Sequence, residues 1–359
     1  MFNLYTRYLI NKFLLKFFYI TLIFFALTLI LGILEEISFF KDLKVSFFYS
    51  FFLNILNAPI TLFEIFPFMF LLTTQFVFLE LFRRDELNLL KINGLSNFKI
   101  IKIFFFLSFV IGIFNVAFYY NFASILKFHY SNIKNSFSND NKYLAMYTKS
   151  GLWIKDEVDG KILIVKSELI KNNYLSNTII NEFNPEFELI KTIQSDRIDI
   201  KNNQWIIYNP IITKENISKK YNDKITLKTN FNEFKITNLF SDMSSHNIFD
   251  LFELRRDYEK LGYSSDDVTI HLYKIFTTPI FYSILTLLTS ILMFNIDKNR
   301  SIIFFIILGI LLSVIVYYVN FIFNSLGNSG RLPNHIAIFF PLFVLFIFSI
   351  IGLVRINEK

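Results

Sequence analysis

Six apolar runs fix what this chain can fold into. They cover Phe17 to Leu34, Pro59 to Leu81, Ile103 to Tyr120, Thr269 to Phe294, Ile302 to Phe323 and Asn334 to Val354. Each approaches the ~20 residues that a helix needs to cross the hydrocarbon core of a bilayer. Backbone groups in lipid find no water to bond, so such runs fold as helices that satisfy their own hydrogen bonds. The composition agrees: 53% of the 359 residues are hydrophobic and 48 are Phe, too apolar for a soluble protein of this size.

The texture changes between the third and fourth runs. Residues 121–268 are rich in Asn, Lys, Ser and Asp. They carry stretches such as Lys161-Ile162-Leu163-Ile164-Val165 and Arg197-Ile198-Asp199-Ile200, with turn signals at Gly160, Asn184-Pro185 and Asn202-Asn203. This predicts a soluble β-domain of about ten short strands, with Ile164 and Ile198 facing inward and Trp153 and Trp205 in its core. Asp250 to Gly262 reads as a helix returning to the membrane. The fold class is therefore a membrane protein of six helices, three and three, with an inserted β-domain, divided into 1–120, 121–268 and 269–359.

Six spans put both termini on one side. The loops and termini on that side hold twelve Lys and Arg, while the opposite short loops hold only Lys41, Lys44 and Arg331. The positive-inside rule places the termini and the 83–102 loop in the cytoplasm, and the β-domain outside it. That asymmetry accounts for the net charge of +7 without a nucleic-acid partner. The first run ends in Glu35-Glu36 with no small-residue cleavage site after it, so it is expected to be a retained span. With no cysteine, disulfides and thiolate metal sites are excluded. No G-x-x-x-x-G-K-[ST] occurs, and His129, His246, His271 and His335 are dispersed, so no cofactor, metal or catalytic site is expected. Energy-driven work would need a partner that binds the nucleotide.

The loop between the second and third spans is short, charged and periodic. Leu87, Leu90 and Lys91 share one helical face, with Glu86 and Leu89 beside it, and Gly94 stands where a C-terminal cap glycine would end the helix. A short helix at the membrane surface is something a cytoplasmic partner can grip; an ordinary basic loop is the other reading. At the far ends of the spans, Glu35 and Glu36 either meet a polar ligand or are solvated at the interface. Lys41 and Lys44 suit lipid phosphates or are a solvated loop. Glu64, one turn before Pro67, suits a packing or interfacial role more than contact with substrate. The interiors of spans three, five and six carry no charge, which argues against a proton relay or ion pore. Tyr317, Tyr318 and Phe321 lie near the outer end of span five.

In this order and spacing the residues resemble the lipopolysaccharide-export permeases, the LptF/LptG family, over essentially the whole chain. Arg7-Tyr8-Leu9-Ile10 is similar to the family's opening Arg-Tyr. Pro59, Pro67, Glu86, Leu87 and Gly94 sit where the family has its prolines, its "SEL" helix and the following glycine. Gly151-Leu152-Trp153-Ile154-Lys155-Asp156 is similar to the "GxWxKDG" of the LptG branch. Lys274, Pro279, Tyr317-Tyr318-Val319, Pro333 and Pro341 fit the later spans. There are departures: Asp85 replaces the usual Ser, Asn334 replaces a second proline, and Glu35 and Glu36 stand nearest to where some members carry a lysine. Lys41 is then the better candidate for a lipid phosphate.

The resemblance implies an LptG-like subunit, paired with an LptF-like six-span permease on a dimer of cytoplasmic ABC ATPases, in the inner membrane of a Gram-negative bacterium. Glu86, Leu87, Leu90 and Gly94 would form the ATPase-coupling helix. Lipopolysaccharide would enter between spans one and five, past Glu35, Glu36, Lys41, Lys44, Tyr317, Tyr318 and Phe321. It would pass to a periplasmic β-jellyroll whose edge meets a bridge protein. An amphiphile with long acyl chains needs such a greasy, laterally open cavity and then a hydrophobic β-groove. The rival classes are an ABC-type mechanotransducer that moves no lipid, a membrane enzyme acting on lipid, and a passive anchor. An enzyme would need acids, His or Ser clustered at the membrane face, and an anchor needs one span rather than six.

Overall fold

The computed structural model describes residues 4–41, 46–137, 152–158, 160–171, 173–215, 217–233, 236, 242–260, 264–295 and 301–357. They belong to two compact units, one of residues 1–127 with 266–359 and one of residues 128–265.

The first unit holds α1 (Leu4–Phe39), α2 (Phe47–Arg83), the short α3 (Glu86–Ile92) and α4 (Asn97–Phe114). A π-helical turn, Asn115–Tyr120, follows α4 and leads into α5 (Asn121–Ser136). The chain returns through α7 (Asp266–Asn295), α8 (Ile302–Asn328) and α9 (Asn334–Asn357); α6 (Ile248–Lys260) belongs to the second unit. Among the described residues, six helices are long and apolar enough to cross a membrane: α1, α2, the continuous stretch Asn97–Lys134, α7, α8 and α9. The third thus runs on beyond Tyr120, where the apolar run stops. Polar residues such as Asn121 and Ser124 extend a helix already nucleated, because each added residue gains a backbone bond.

Phenylalanines fill the bundle. Phe13 of α1 stacks on Phe104 of α4 with ring centres 5.5 Å apart, and Phe70 of α2 stacks on Tyr282 of α7 at 4.4 Å. Lipid tails are as apolar as these rings, so close packing and interhelical hydrogen bonds must hold the helices together. Asn54 donates to the Leu29 carbonyl at 2.6 Å, joining α2 to α1. Gln75 donates to the Phe305 carbonyl at 2.6 Å, joining α2 to α8. The Ser108 and Thr286 hydroxyls meet at 2.8 Å between α4 and α7. Nearby, Gly112 lets those two helices approach: a Cβ there would fall 2.6 Å from Pro279 Cα. Of the six long helices, α1 and α8 bury least of their surface in the chain.

The second unit is built on one antiparallel sheet. Its strands are β1 (Leu152–Val158), β2 (Lys161–Lys171), β3 (Tyr174–Phe183), β4 (Leu189–Asp199), β5 (Gln204–Tyr208), β6 (Ile211–Lys214), β7 (Ile217–Lys220) and β8 (Ile225–Lys228). Among the described residues there are eight strands, where the sequence suggested about ten. The order is β1-β2-β3-β4-β5-β8, and β4 splits, its far end pairing β6, which pairs β7. The result is an open half-barrel. Register puts Ile154, Val165, Ile180, Ile193 and Ile212 in one row across five strands, and the first four of these are buried. Ile198 is buried as expected. Ile164 is not on that face: it pairs with Lys155 and Asn181 on the other side of the sheet, and Val165 is the inward residue. Trp205 is buried and donates to the Phe231 carbonyl at 2.8 Å, whereas Trp153 lies exposed beneath the Lys166 ammonium.

Beside the aliphatic row sit two buried carboxylates, Asp156 and Glu182. Glu182 accepts from Lys161 at 2.6 Å and pairs with Lys191 at 2.9 Å. Burial pushes its pKa up, but the two lysines outweigh burial and hold it below the ordinary 4.5. A depressed folded-state pKa adds stability that is present above 4.5 and is lost as the pH falls through the lower, folded value. Both tryptophans lie in this unit, so their fluorescence reports its unfolding alone. Thermal melts followed by Trp emission should show the parent more stable than Glu182→Gln at neutral pH, with the gap closing below pH 4.5. A gap that stays constant to low pH contradicts this assignment.

Candidate functional site

The α3 helix stands between the end of α2 and the start of α4, and the local sequence builds its corners. Helix α2 ends at Arg83, and Asp85 then takes a left-handed conformation with φ of 54°. Asp is one of the few non-glycine residues that tolerates this region. Asn88 donates to the Asp85 side chain, fastening the corner. At the other end, Gly94 has φ of 84°, its N–H donates to the Lys91 carbonyl, and the Leu95 N–H reaches back to the Leu90 carbonyl. These two bonds form a Schellman cap, with buried Leu95 as its hydrophobic partner. Ser96 then caps α4 by accepting from the Lys99 N–H.

A helix of seven residues is too short to hold itself together in water, so its neighbours must fix it. Leu87 is 1% exposed and joins the bundle core, and Leu90 packs partly against the same core. Leu89 and Ile92 point away, Ile92 with 82% of its surface exposed. Two of the four predicted coupling residues are thus anchors, and the accessible apolar surface belongs to Leu89 and Ile92. The Lys91 ammonium lies 5.7 Å from the Phe294 ring at the end of α7.

Glu86 looks inward and sideways, toward α1. Tyr8 donates to its Oε2 at 2.7 Å, and the Lys12 ammonium bonds the same oxygen. Lys12 also lies 3.4 Å from Glu80 of α2, which Lys16 reaches at 2.6 Å. Arg84 borders the group, 3.5 Å from Glu80 and 4.0 Å from Glu86. Three cations from two segments therefore face two carboxylates at one end of the bundle. Sequence reasoning counted Lys12 and Lys16 only as topological charges and passed over Glu80. Two signals pointed to them. Tyr8, Lys12 and Lys16 recur every four residues, which aligns them on one helix face, and Glu80 is an acid inside an apolar run.

The predicted lipid-binding residues fall in two places. On α1, Glu35 is exposed and Glu36 is buried, and Lys41 follows exposed; Lys44 lies outside the described residues. On α8, Tyr317 stacks parallel to Phe321 with centres 6.3 Å apart and meets Tyr318 edge-on, and all three are exposed.

The conformation of Gly94 makes a prediction. No atom lies within 4 Å of where its Cβ would be, so substitution meets only backbone strain. Left-handed backbone costs ~1–2 kcal/mol for most L-residues and less for Asn. The expected order of thermal stability in detergent is parent, then Gly94→Asn, then Gly94→Ala, with Gly94→Val lowest. Equal melting of all four would mean that the cap is dispensable.

No curated protein matches this chain. Residues 7–355 match the family described as "Lipopolysaccharide export system permease LptF/LptG", a match that does not divide its two branches. With six apolar helices, an inserted antiparallel half-barrel and a match over nearly its whole length, the chain belongs to the LptF/LptG family of lipopolysaccharide export permeases.

Proposed function

We propose that this chain is one permease subunit of an ATP-driven transporter that extracts lipopolysaccharide from the inner membrane of a Gram-negative bacterium. Its termini and α3 face the cytoplasm, where a dimer of ABC ATPases binds α3. A second six-span permease completes the membrane cavity. The lipid enters between spans one and five, and the periplasmic half-barrel takes up its acyl chains and passes them to a bridge protein docked on the sheet edge. The observation that carries this reading is α3: a helix too short to stand alone, rooted by Leu87 and offering Leu89 and Ile92 to solvent. An exposed apolar tip rimmed by charge suits a protein partner. The weakly buried faces of α1 and α8 support a lateral opening, because spans packed on all sides could not admit a lipid. Tyr317, Tyr318 and Phe321 suit the acyl-chain side of that opening, and Glu35, Glu36, Lys41 and Lys44 its headgroup side. Among the described residues the sheet ends on β1, β7 and β8, and such edges support docking by β-augmentation.

Affinity purification of this chain from its host membrane should bring down an ABC ATPase and a second six-span protein. In proteoliposomes containing lipopolysaccharide, the complex should release lipid to a periplasmic acceptor only with ATP. Glu86→Arg, which places a cation beside Lys12, should cut release more than Glu86→Ala. A complex that hydrolyses ATP at the parent rate while Glu86→Arg exports normally removes Glu86 from the coupling path.

The chain has no cysteine, which permits a direct test of the lateral opening. A cysteine pair engineered across spans one and five should stop release when oxidised and restore it when reduced. Undiminished release from a fully cross-linked sample ends the proposal of an opening there.

A further inference from the structure

We propose that Lys12 is a positioning residue for energy coupling: it ties the α3 helix to the first membrane span by holding the Glu86 carboxylate. This rests on the reading of the chain as an ATP-driven permease subunit and adds a second route for force to leave α3. Covalently, α3 is continuous only with α2 and α4. The Glu86 side chain bridges it to α1 as well, through Tyr8 and Lys12.

Lys12 is suited to this task in ways its neighbours are not. Its side chain is 9% exposed, whereas those of Lys16 and Arg84 are 36% and 67% exposed. Exposed ion pairs contribute little because water screens them, while removing one partner of a buried pair strands the other charge. Lys12 also touches both acids, with Glu80 3.4 Å away. If a cationic group of the ATPase draws Glu86 away, the Lys12 ammonium retains a carboxylate and is not left stranded. The tie can therefore release and re-form without exposing a buried charge at either stage. Helix α1 is also one of the two spans least buried in the chain, so fewer neighbours resist its displacement than resist that of α2 or α7.

The test uses the assembled exporter in proteoliposomes with lipopolysaccharide and ATP. Lys12→Met keeps the length of the side chain and removes its charge. It should lower lipid released per ATP by ~5-fold or more, the small end of a coupling free energy, with the ATPase still recovered. Lys12→Arg, which keeps the charge, should retain most of the release. A structural readout goes with it: spin labels on Leu15→Cys and Asn93→Cys, both exposed positions, report the separation of α1 and α3. That distance should be narrowly distributed in the labelled parent and in Lys12→Arg, and broad in Lys12→Met. The role of Lys12 is overturned if Lys12→Met exports like the parent, whatever the distance shows, or if Lys12→Arg fails as Lys12→Met does. Should Lys12→Met not assemble, Lys12→Gln replaces it under the same two criteria. A parent complex that releases no lipid with ATP would instead defeat the reading of the chain as an exporter subunit.

Discussion

Lipid offers no hydrogen bonds, and most of this structure follows from that deficit. Every backbone group within the bilayer must find its partner inside the protein, which turns each apolar run into a helix. The same deficit makes the few buried polar side chains act between helices. Asn54, Gln75 and the Ser108–Thr286 pair each join two helices, and all four residues reach partners 25 or more positions away in sequence. In water such bonds would compete with solvent; here they set which helices are neighbours. Charge obeys the same logic at the bundle end, where Lys12 enters a buried setting only because Glu86 and Glu80 meet it.

Helix existence was legible because apolarity over ~20 residues is a strong local signal. The Gly94 stop was legible too, since a glycine following a short amphipathic stretch suits a left-handed C-cap, and its φ of 84° agrees. The faces of β2 were not legible. Ile162, Leu163, Ile164 and Val165 are consecutive apolar residues, so nothing in their order says which alternate pair points inward. Register alone decides it, and register depends on β1 and β3. Trp153 misled for a related reason: a large aromatic fits either side of a half-buried strand.

The ion cluster was hidden for a different cause. Lys12 and Glu86 are 74 positions apart, and the four-residue stripe that aligns Tyr8, Lys12 and Lys16 does not say what it faces. A lysine near the start of a first span already has an explanation in membrane topology, and that explanation concealed the second one. What distinguishes Lys12 from Lys16 and Arg84 beside it is burial, which is a property of the fold alone.

The site also shows how rigid and yielding parts are divided. Helix α1 has 36 residues, or ~54 Å at 1.5 Å per residue, well beyond the ~30 Å of hydrocarbon it must cross. Its ends therefore stand clear of the acyl region, with the Tyr8–Lys12–Lys16 stripe at one and Glu35, Glu36 and Lys41 at the other. Backbone bonds keep the helix stiff along its length, so a displacement at the stripe reaches the far end with little loss. The junctions at the stripe are softer: a left-handed Asp85 corner, a glycine cap and an ion pair. Motion between α3 and the spans should therefore concentrate at those three points, each of which can change without breaking a helix.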